Sequence, residues 1–151
     1  IHEFYITAGV VDLRPGELQT AVIIPRKSFA GYQGHYIKYA MREAMDIAAM
    51  GCSVNVKLTP DKSRVEEARI AYGVAGPVPM CAHSAEQAAK GRAVSEETCR
   101  IFAQAVLEDI RPRDSWRASR ALREHIAVVL AERAFKEAVR RCGGETDEQT
   151  V

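Results

Sequence analysis

The sequence lacks the features that would indicate a membrane or a secretory destination. Its apolar runs fall far short of the ~18 residues that a membrane-spanning helix needs, so no membrane association is predicted. The first residue is Ile, and no basic segment followed by an apolar one marks a signal peptide. The four cysteines are widely spaced without a C-x-x-C pair, which is typical of separate reduced thiols rather than a metal site. We therefore expect a cytoplasmic protein.

The sequence also lacks the common signatures of a self-contained catalytic site. It contains no G-x-S-x-G motif, no P-loop and no G-x-G-x-x-G motif. The four histidines, at positions 2, 35, 83 and 125, do not occur at metal-ligand spacing. The net charge of +1 provides no general attraction for nucleic acid. From the residues alone we predict a soluble domain without a complete active site and without a nucleic-acid partner.

The first half of the chain has the pattern of β-strands. Residues 52–58 alternate in polarity and place Cys52, Val54, Val56 and Leu58 on one face. Further strands are predicted at 3–7, 18–24, 34–39 and 65–74, where β-branched and aromatic residues are frequent.

The second half has the apolar periodicity of helices. A short helix is predicted at 84–90, with Ser84 and Gln87 as a capping box and Gly91 beyond its end. Ser95 is expected to cap a second helix. A long third helix is predicted from about residue 118 to residue 142, where two glycines follow.

The order of these elements predicts the fold class. Because strands precede helices rather than alternate with them, we expect an α+β fold in which an antiparallel sheet packs against about three helices. The length suits a single domain over residues 1–151. The polar tail, 145–151, is predicted to be disordered.

A first charged cluster consists of Lys38, Arg42 and Asp46. Their spacing of four would align them on a helix. Because 34–39 has a strand pattern, Lys38 would instead lie at a strand end, with Asp46 brought back by a turn. Lys38 could then donate to carbonyl or phosphate oxygens of a ligand, and Asp46 could accept from hydroxyls. On spacing alone the favoured interpretation is a surface ion pair worth at most about 1 kcal/mol.

A second charged cluster spans residues 111–123, which hold five arginines and the only tryptophan. Such a group could bind nucleic acid through phosphate contacts and base stacking. Interspersed acidic residues argue against this function. The favoured interpretation is that Trp116 closes the core between two helices while the arginines pair at the surface.

Several stretches, in order, resemble the C-terminal domain of the FAD-binding subunit of molybdenum hydroxylases, in the CO dehydrogenase flavoprotein family. They cover residues 13–18, 22–25, 35–48, 68–79 and 114–119, together with Arg123. The segments KYAMR at 38–42, AMDI at 44–47 and SWRAS at 115–119 resemble the bacterial xanthine dehydrogenase branch most.

The resemblance implies the function of an FAD-binding subunit. In such enzymes a molybdopterin subunit oxidises the substrate, a purine in the xanthine dehydrogenases. A 2Fe-2S subunit relays the electrons, and FAD passes them to NAD. The family's flavin-contacting Lys matches Lys38, and its acidic and basic positions match Asp46 and Arg42. A further flavin contact falls at Leu18 or the residue after it.

The resemblance also implies that most FAD contacts come from an upstream FAD-cradling domain that is absent from this chain. We therefore expect the chain alone to be inactive and to retain no FAD. The alternative is a non-catalytic domain that docks the iron–sulfur and molybdenum subunits without contacting flavin.

Overall fold

The computed structural model describes residues 3–146, and its centre is a four-stranded antiparallel sheet. The strands lie side by side in chain order as β3 (Gln33–Tyr39), β4 (Met50–Leu58), β5 (Val65–Gly73) and β6 (Met80–Cys81). Two shorter strands, β1 (Tyr5–Thr7) and β2 (Val10–Val11), form a separate antiparallel pair.

Three helices follow the sheet in the chain and cover its apolar face. They are α1 (His83–Ala89), α2 (Glu96–Ala105) and α3 (Arg120–Arg141), with a 3-10 turn at Val106–Glu108 after α2. The long helix α3 packs across β3 and β4, α1 packs against β5, and α2 lies between α1 and α3. This arrangement confirms the predicted α+β fold of an antiparallel sheet and three helices.

The core lies between β4, β5 and the helices. Cys52, Val54, Val56 and Leu58 are all buried, as the alternation in the sequence predicts. From the helical layer, the rings of Phe102 and Phe135 meet with centroids 4.4 Å apart. Burial of this apolar surface is the main force that holds the helices on the sheet.

Strand β5 forms although two glutamates near its start favour a helix. It pairs with β4 along its length and with β6 near its end. Its residues Val65, Ala68, Ile70 and Tyr72 are buried. Pairing and burial therefore override local propensity, which confirms the predicted strand.

The strand predicted at 18–24 is wrong. These residues have no regular structure, and their side chains are exposed. β-Branched residues favour a strand where a neighbouring strand can pair with them. No strand of the described part of the chain pairs with 18–24. The predicted strand at 3–7 is present only as Tyr5–Thr7.

The predicted capping box at Ser84 is also wrong, because α1 begins one residue earlier. Its N-cap is Ala82, whose side chain cannot accept a hydrogen bond. The Asp109 carboxylate takes this part instead: it accepts from the Ser84 N–H at 2.8 Å and from the Ser84 hydroxyl at 3.2 Å. A distant carboxylate has replaced the local cap.

The other predicted helix boundaries agree with the structure. Gly91 adopts a φ of +77° just beyond α1, a conformation that suits glycine. The Ser95 side chain accepts from the Thr98 N–H at the start of α2. Ser119 caps α3 in the same way, through the Leu122 N–H.

Residues 145–146 have no regular structure, and the rest of the predicted disordered tail, 147–151, lies outside the described residues. Among residues 3–146, no helix is both long enough and apolar enough to cross a membrane.

Candidate functional site

Lys38, Arg42 and Asp46 come together around the loop of residues 40–49. Lys38 lies near the end of β3, and its Nζ donates to the main-chain oxygen of Asp46 at 2.7 Å. The Asp46 carboxylate accepts from the N–H groups of Met41 at 2.8 Å and Arg42 at 2.9 Å. The segment is a turn rather than a helix, which agrees with the interpretation of Lys38 at a strand end.

The Arg42 guanidinium completes the loop. Its Nη2 donates to the main-chain oxygen of Met45 at 2.9 Å and lies 3.8 Å from Asp46 Oδ1. The loop closes at its base, where the Ala49 N–H donates to the main-chain oxygen of Tyr39 at 2.8 Å. Asp46 therefore acts mainly as an acceptor for main-chain groups, and its ion pair with Arg42 is the longer contact.

The surroundings of Asp46 favour its charged form. Desolvation opposes ionisation, but hydrogen bonds from the N–H groups of Arg42, Met41 and Ile47 outweigh it, so the pKa of Asp46 is lowered. An ionised carboxylate makes these hydrogen bonds stronger than those to a neutral acceptor. The loop is thus held in one shape around a fixed negative charge.

The Lys38 ammonium remains accessible to a ligand. It has three donors, of which Asp46 engages one. Tyr36, two residues before it on the same strand face, is exposed, and so are Met41 and Met45 in the loop. We call Tyr36, Lys38, Met41 and Met45 the lip. Tyr36 was not among the predicted site residues, although its alternation with Lys38 was visible in the strand pattern.

Leu18 is the predicted site residue that the structure does not connect to the others. Its side chain is 86% exposed in the irregular segment 18–24. No hydrogen bond within residues 3–146 links it to the lip. Three of the four predicted residues therefore lie together, no hydrogen bond among the described residues joins Leu18 to them, and a flavin contact by any of the four stays a prediction.

The segment of residues 111–123 differs from the prediction. Trp116 does not close the core, because its side chain is 86% exposed and carries the Arg117 guanidinium 4.4 Å from its ring centroid. The buried residue is Arg123, at 4% exposure. Arg123 donates through Nη1 to the main-chain oxygen of Ala49 and through Nη2 to Ser115 Oγ at 2.9 Å.

Arg123 thereby links the start of α3 to the base of the loop of residues 40–49, the lip loop. A buried guanidinium can satisfy main-chain carbonyls that an apolar side chain would leave unmatched, which explains why Arg rather than Trp occupies this place. Arg123 belongs to the stretches that carry the family resemblance, and this was the signal that could have identified it.

A cleft of about 680 Å³ lies next to the lip loop. Its lining includes Ile47 and Ala48 of the loop, the end of β5 with the connection to β6, and four arginines: Arg111, Arg113, Arg117 and Arg123. Elsewhere, within the described ranges, no three His, Cys, Asp or Glu side chains are grouped as a metal site would require. All four cysteines are free.

The match to a family model covers the sheet and the helices. Residues 35–138 match the model for the CO dehydrogenase flavoprotein C-terminal domain. The chain is 35% identical over 145 residues to the xanthine dehydrogenase FAD-binding subunit of Escherichia coli, covering 96% of this chain and 49% of that protein. It is 28% identical over 135 residues to the glyceraldehyde dehydrogenase medium chain of Sulfolobus acidocaldarius, covering 89% and 46%.

Solved structures share the fold. Quinoline 2-oxidoreductase from Pseudomonas putida 86 superposes with a TM-score of 0.83 at 25% identity, covering 93% of this chain and 47% of that one. Carbon monoxide dehydrogenase from Hydrogenophaga pseudoflava gives a TM-score of 0.78 at 23% identity, covering 93% and 48%. The chain spans about half the length of the relatives it matches. On the family match and these relatives, the chain belongs to the CO dehydrogenase flavoprotein C-terminal domain family.

Proposed function

We propose that this chain is the C-terminal domain of the FAD-binding subunit of a xanthine dehydrogenase-type molybdenum hydroxylase, and that the lip closes over the flavin. The observation that carries the proposal is the hydrogen bond from Lys38 to the Asp46 main chain. It fixes an ammonium group at an exposed strand end while leaving two of its donors for a ligand.

The residues of the lip fit the chemistry of an isoalloxazine ring. Lys38 can donate to carbonyl oxygens at the polar edge of the ring, while Tyr36 and Met45 offer exposed apolar surface for its faces. Bound FAD would supply hydride and electron transfer chemistry. The protein's part is to orient the ring and to place positive charge where a reduced flavin carries negative charge.

The exposed apolar residues support a role within a larger assembly. Most of the exposed large hydrophobic side chains fall between residues 6 and 47, on β1 to β3, the irregular segment 18–24, the lip loop and the connections between them. Exposed apolar surface of this kind usually marks a contact with another domain, protein or ligand. We propose that the upstream FAD-cradling domain covers part of this surface in the intact subunit.

The partners follow from the same proposal. They are an iron–sulfur subunit carrying 2Fe-2S clusters and a molybdopterin subunit, with NAD as the electron acceptor, in the cytoplasm. The identity to the Escherichia coli subunit supports the xanthine dehydrogenase type and a purine substrate for the whole enzyme.

Replacing Lys38 by Met in the full subunit of the assembled enzyme tests the proposal. We expect lower flavin content and a lower flavin reduction potential, because the positive charge at the ring edge is lost. Lys27→Met, an exposed lysine in the 3-10 turn at Arg26–Ser28, is the matched control and should change neither quantity. Unchanged flavin content, potential and NAD-dependent turnover in Lys38→Met would refute the lip as a flavin contact.

The alternative function, docking of partner subunits without flavin contact, is favoured by one observation. Trp116 is almost fully exposed, and exposed tryptophans are frequent anchors of protein interfaces. If docking is the only function, Lys38→Met would leave flavin properties unchanged, whereas Trp116→Ala would reduce recovery of the partner subunits in a pull-down.

A further inference from the structure

The cleft beside the lip loop contains more positive charge than its lining can balance. Its lining includes Arg111, Arg113, Arg117 and Arg123 but no Asp or Glu. Within the described residues, none of the four arginines forms an ion pair with a carboxylate. The charge is therefore available to a ligand.

Arg123 adds to this lining a buried positive charge that no carboxylate among the described residues neutralises. It is 96% buried, and its two terminal nitrogens are engaged by Ala49 and Ser115, but its buried Nε has no hydrogen-bond partner among the described residues. A buried donor without an acceptor is costly and is therefore uncommon in folded proteins. Burial and then the positive charges of Arg113 and Arg117 lower the pKa of Arg123.

We propose that this cleft binds the phosphate or pyrophosphate group of a small organic phosphate. Guanidinium groups form paired, charge-assisted hydrogen bonds with phosphate oxygens and remain charged at any physiological pH. The Arg117 guanidinium is already stacked on Trp116, so less side-chain freedom is lost when it binds.

The size and remaining lining of the cleft indicate an organic ligand rather than a free ion. A volume of about 680 Å³ lies within the range of small-molecule sites. The lining also includes the apolar residues Ile47, Val74 and Val78, which suit a ring or chain attached to the phosphate. Val74 adopts a φ of +70°, a rare conformation for a β-branched residue and one that is concentrated at ligand sites.

The site is adjacent to the lip but does not depend on it. Ile47 and Ala48 contribute to the cleft, and Asp46 immediately precedes them, so the two sites share one loop. No residue of the lip lines the cleft. Binding can therefore be measured on the 151-residue chain without flavin.

Titration calorimetry with pyrophosphate, ADP and inorganic phosphate at constant ionic strength tests the proposal. We expect pyrophosphate and ADP to bind, with ADP tighter because the apolar lining contributes. Arg113→Gln and Arg117→Gln should each weaken binding about tenfold or more, since each removes a charged hydrogen-bond donor. These two variants are used because Arg123→Gln would also free Ala49 and could fail to fold.

Arg100→Gln is the matched control, since Arg100 is an exposed arginine on α2 outside the cleft. Arg100→Gln should leave the affinity for pyrophosphate and ADP within about twofold of that of the unmodified chain, because screened surface charges contribute little. Absence of binding by both pyrophosphate and ADP overturns the proposal, as does an equal loss in Arg100→Gln. Tighter binding of a glutamate-rich peptide than of ADP would also overturn it and would identify the cleft as a protein-docking site.

Discussion

The Tyr72 hydroxyl donates a hydrogen bond of 2.8 Å to the main-chain oxygen of Ala127 and so joins the end of β5 to the first half of α3. Both groups are buried, and the oxygen would lose this partner in Tyr72→Phe. We expect Tyr72→Phe to lower the free energy of unfolding by about 0.5–1.5 kcal/mol, measured by urea denaturation, because the Ala127 oxygen keeps its hydrogen bond within α3.

Tyr36→Phe is the control for this prediction. Tyr36 is exposed on β3, and its variant should differ from the original by no more than about 0.5 kcal/mol. An equal loss of unfolding free energy in the two variants would show that the Tyr72 hydrogen bond stabilises the fold no more than an exposed hydroxyl does.

Asp109 should act as the N-terminal cap of α1 from a distance. Its carboxylate accepts from both the Ser84 N–H and the Ser84 hydroxyl. Asp109→Ala removes this acceptor, and we expect a loss of about 0.5–2 kcal/mol in the free energy of unfolding, as for other N-caps. Glu108→Ala, at the neighbouring exposed position, should be nearly neutral. A neutral Asp109→Ala would mean that water satisfies the end of α1 equally well.

The sequence predicts the strands and helices of the core better than it predicts their connections. Strand β4 was predictable because one buried face imposes a strict alternation on residues 52–58. The segment 18–24 has equally good strand residues, but whether it pairs depends on a partner that local sequence does not reveal. Asp109 capping Ser84 is likewise a tertiary contact, across 25 positions in the chain.

The turn that joins Lys38 to Asp46 was predictable, whereas the buried residue of the second charged cluster was not. The spacing of Lys38 and Asp46 fits both a helix and a turn, and only the strand pattern before the loop favoured the turn. In the second cluster, composition favoured the wrong residue for burial. Trp116 is the larger apolar side chain, but Arg123 lies on the inner face of α3, where it can reach the carbonyl of Ala49. The need for a hydrogen-bond donor at this place arises from tertiary contacts, which local composition does not show.

The Asp46 carboxylate should control the order of the lip loop. It accepts from the N–H groups of Met41 and Arg42, and its pKa is lowered in the folded protein. We expect Asp46→Ala to increase hydrogen exchange at these two amides severalfold, while the amides of β4 stay protected. Glu43→Ala, at an exposed position in the same loop, is the control.

The stabilisation of the loop by the Asp46 carboxylate should be lost only at acidic pH. Because the pKa of Asp46 is lowered on folding, its contribution is fully present above its ordinary value of 3.8 and is lost as the pH falls through the lowered value. Protection of the Met41 and Arg42 amides should therefore decrease only under acidic conditions. Protection that does not decrease at any acidic pH at which the amides of β4 stay protected would contradict the role of the charged carboxylate.

The stabilisation by the His83–Glu86 pair should change with pH in the opposite direction to the stabilisation by Asp46. His83 Nδ1 lies 2.8 Å from Glu86 Oε2, and Glu86 raises the pKa of His83 above 6.5, first through the hydrogen bond and then through its charge. A raised pKa means that the folded state binds the proton more tightly than the unfolded chain does. The resulting stabilisation is fully present below 6.5 and is lost as the pH rises through the folded value.

Glu86→Gln separates the charge from the other function of this side chain. Glu86 Oε1 also accepts from the Ile70 N–H at 3.1 Å, and a glutamine oxygen can keep that hydrogen bond. We expect nuclear magnetic resonance titration to show a lower His83 pKa in Glu86→Gln than in the original chain. Glu97→Gln, at an exposed position on α2, should leave it unchanged. An identical His83 pKa in Glu86→Gln and the original would show that the ion pair does not form in solution, since neither its hydrogen bond nor its charge would then act on the imidazole.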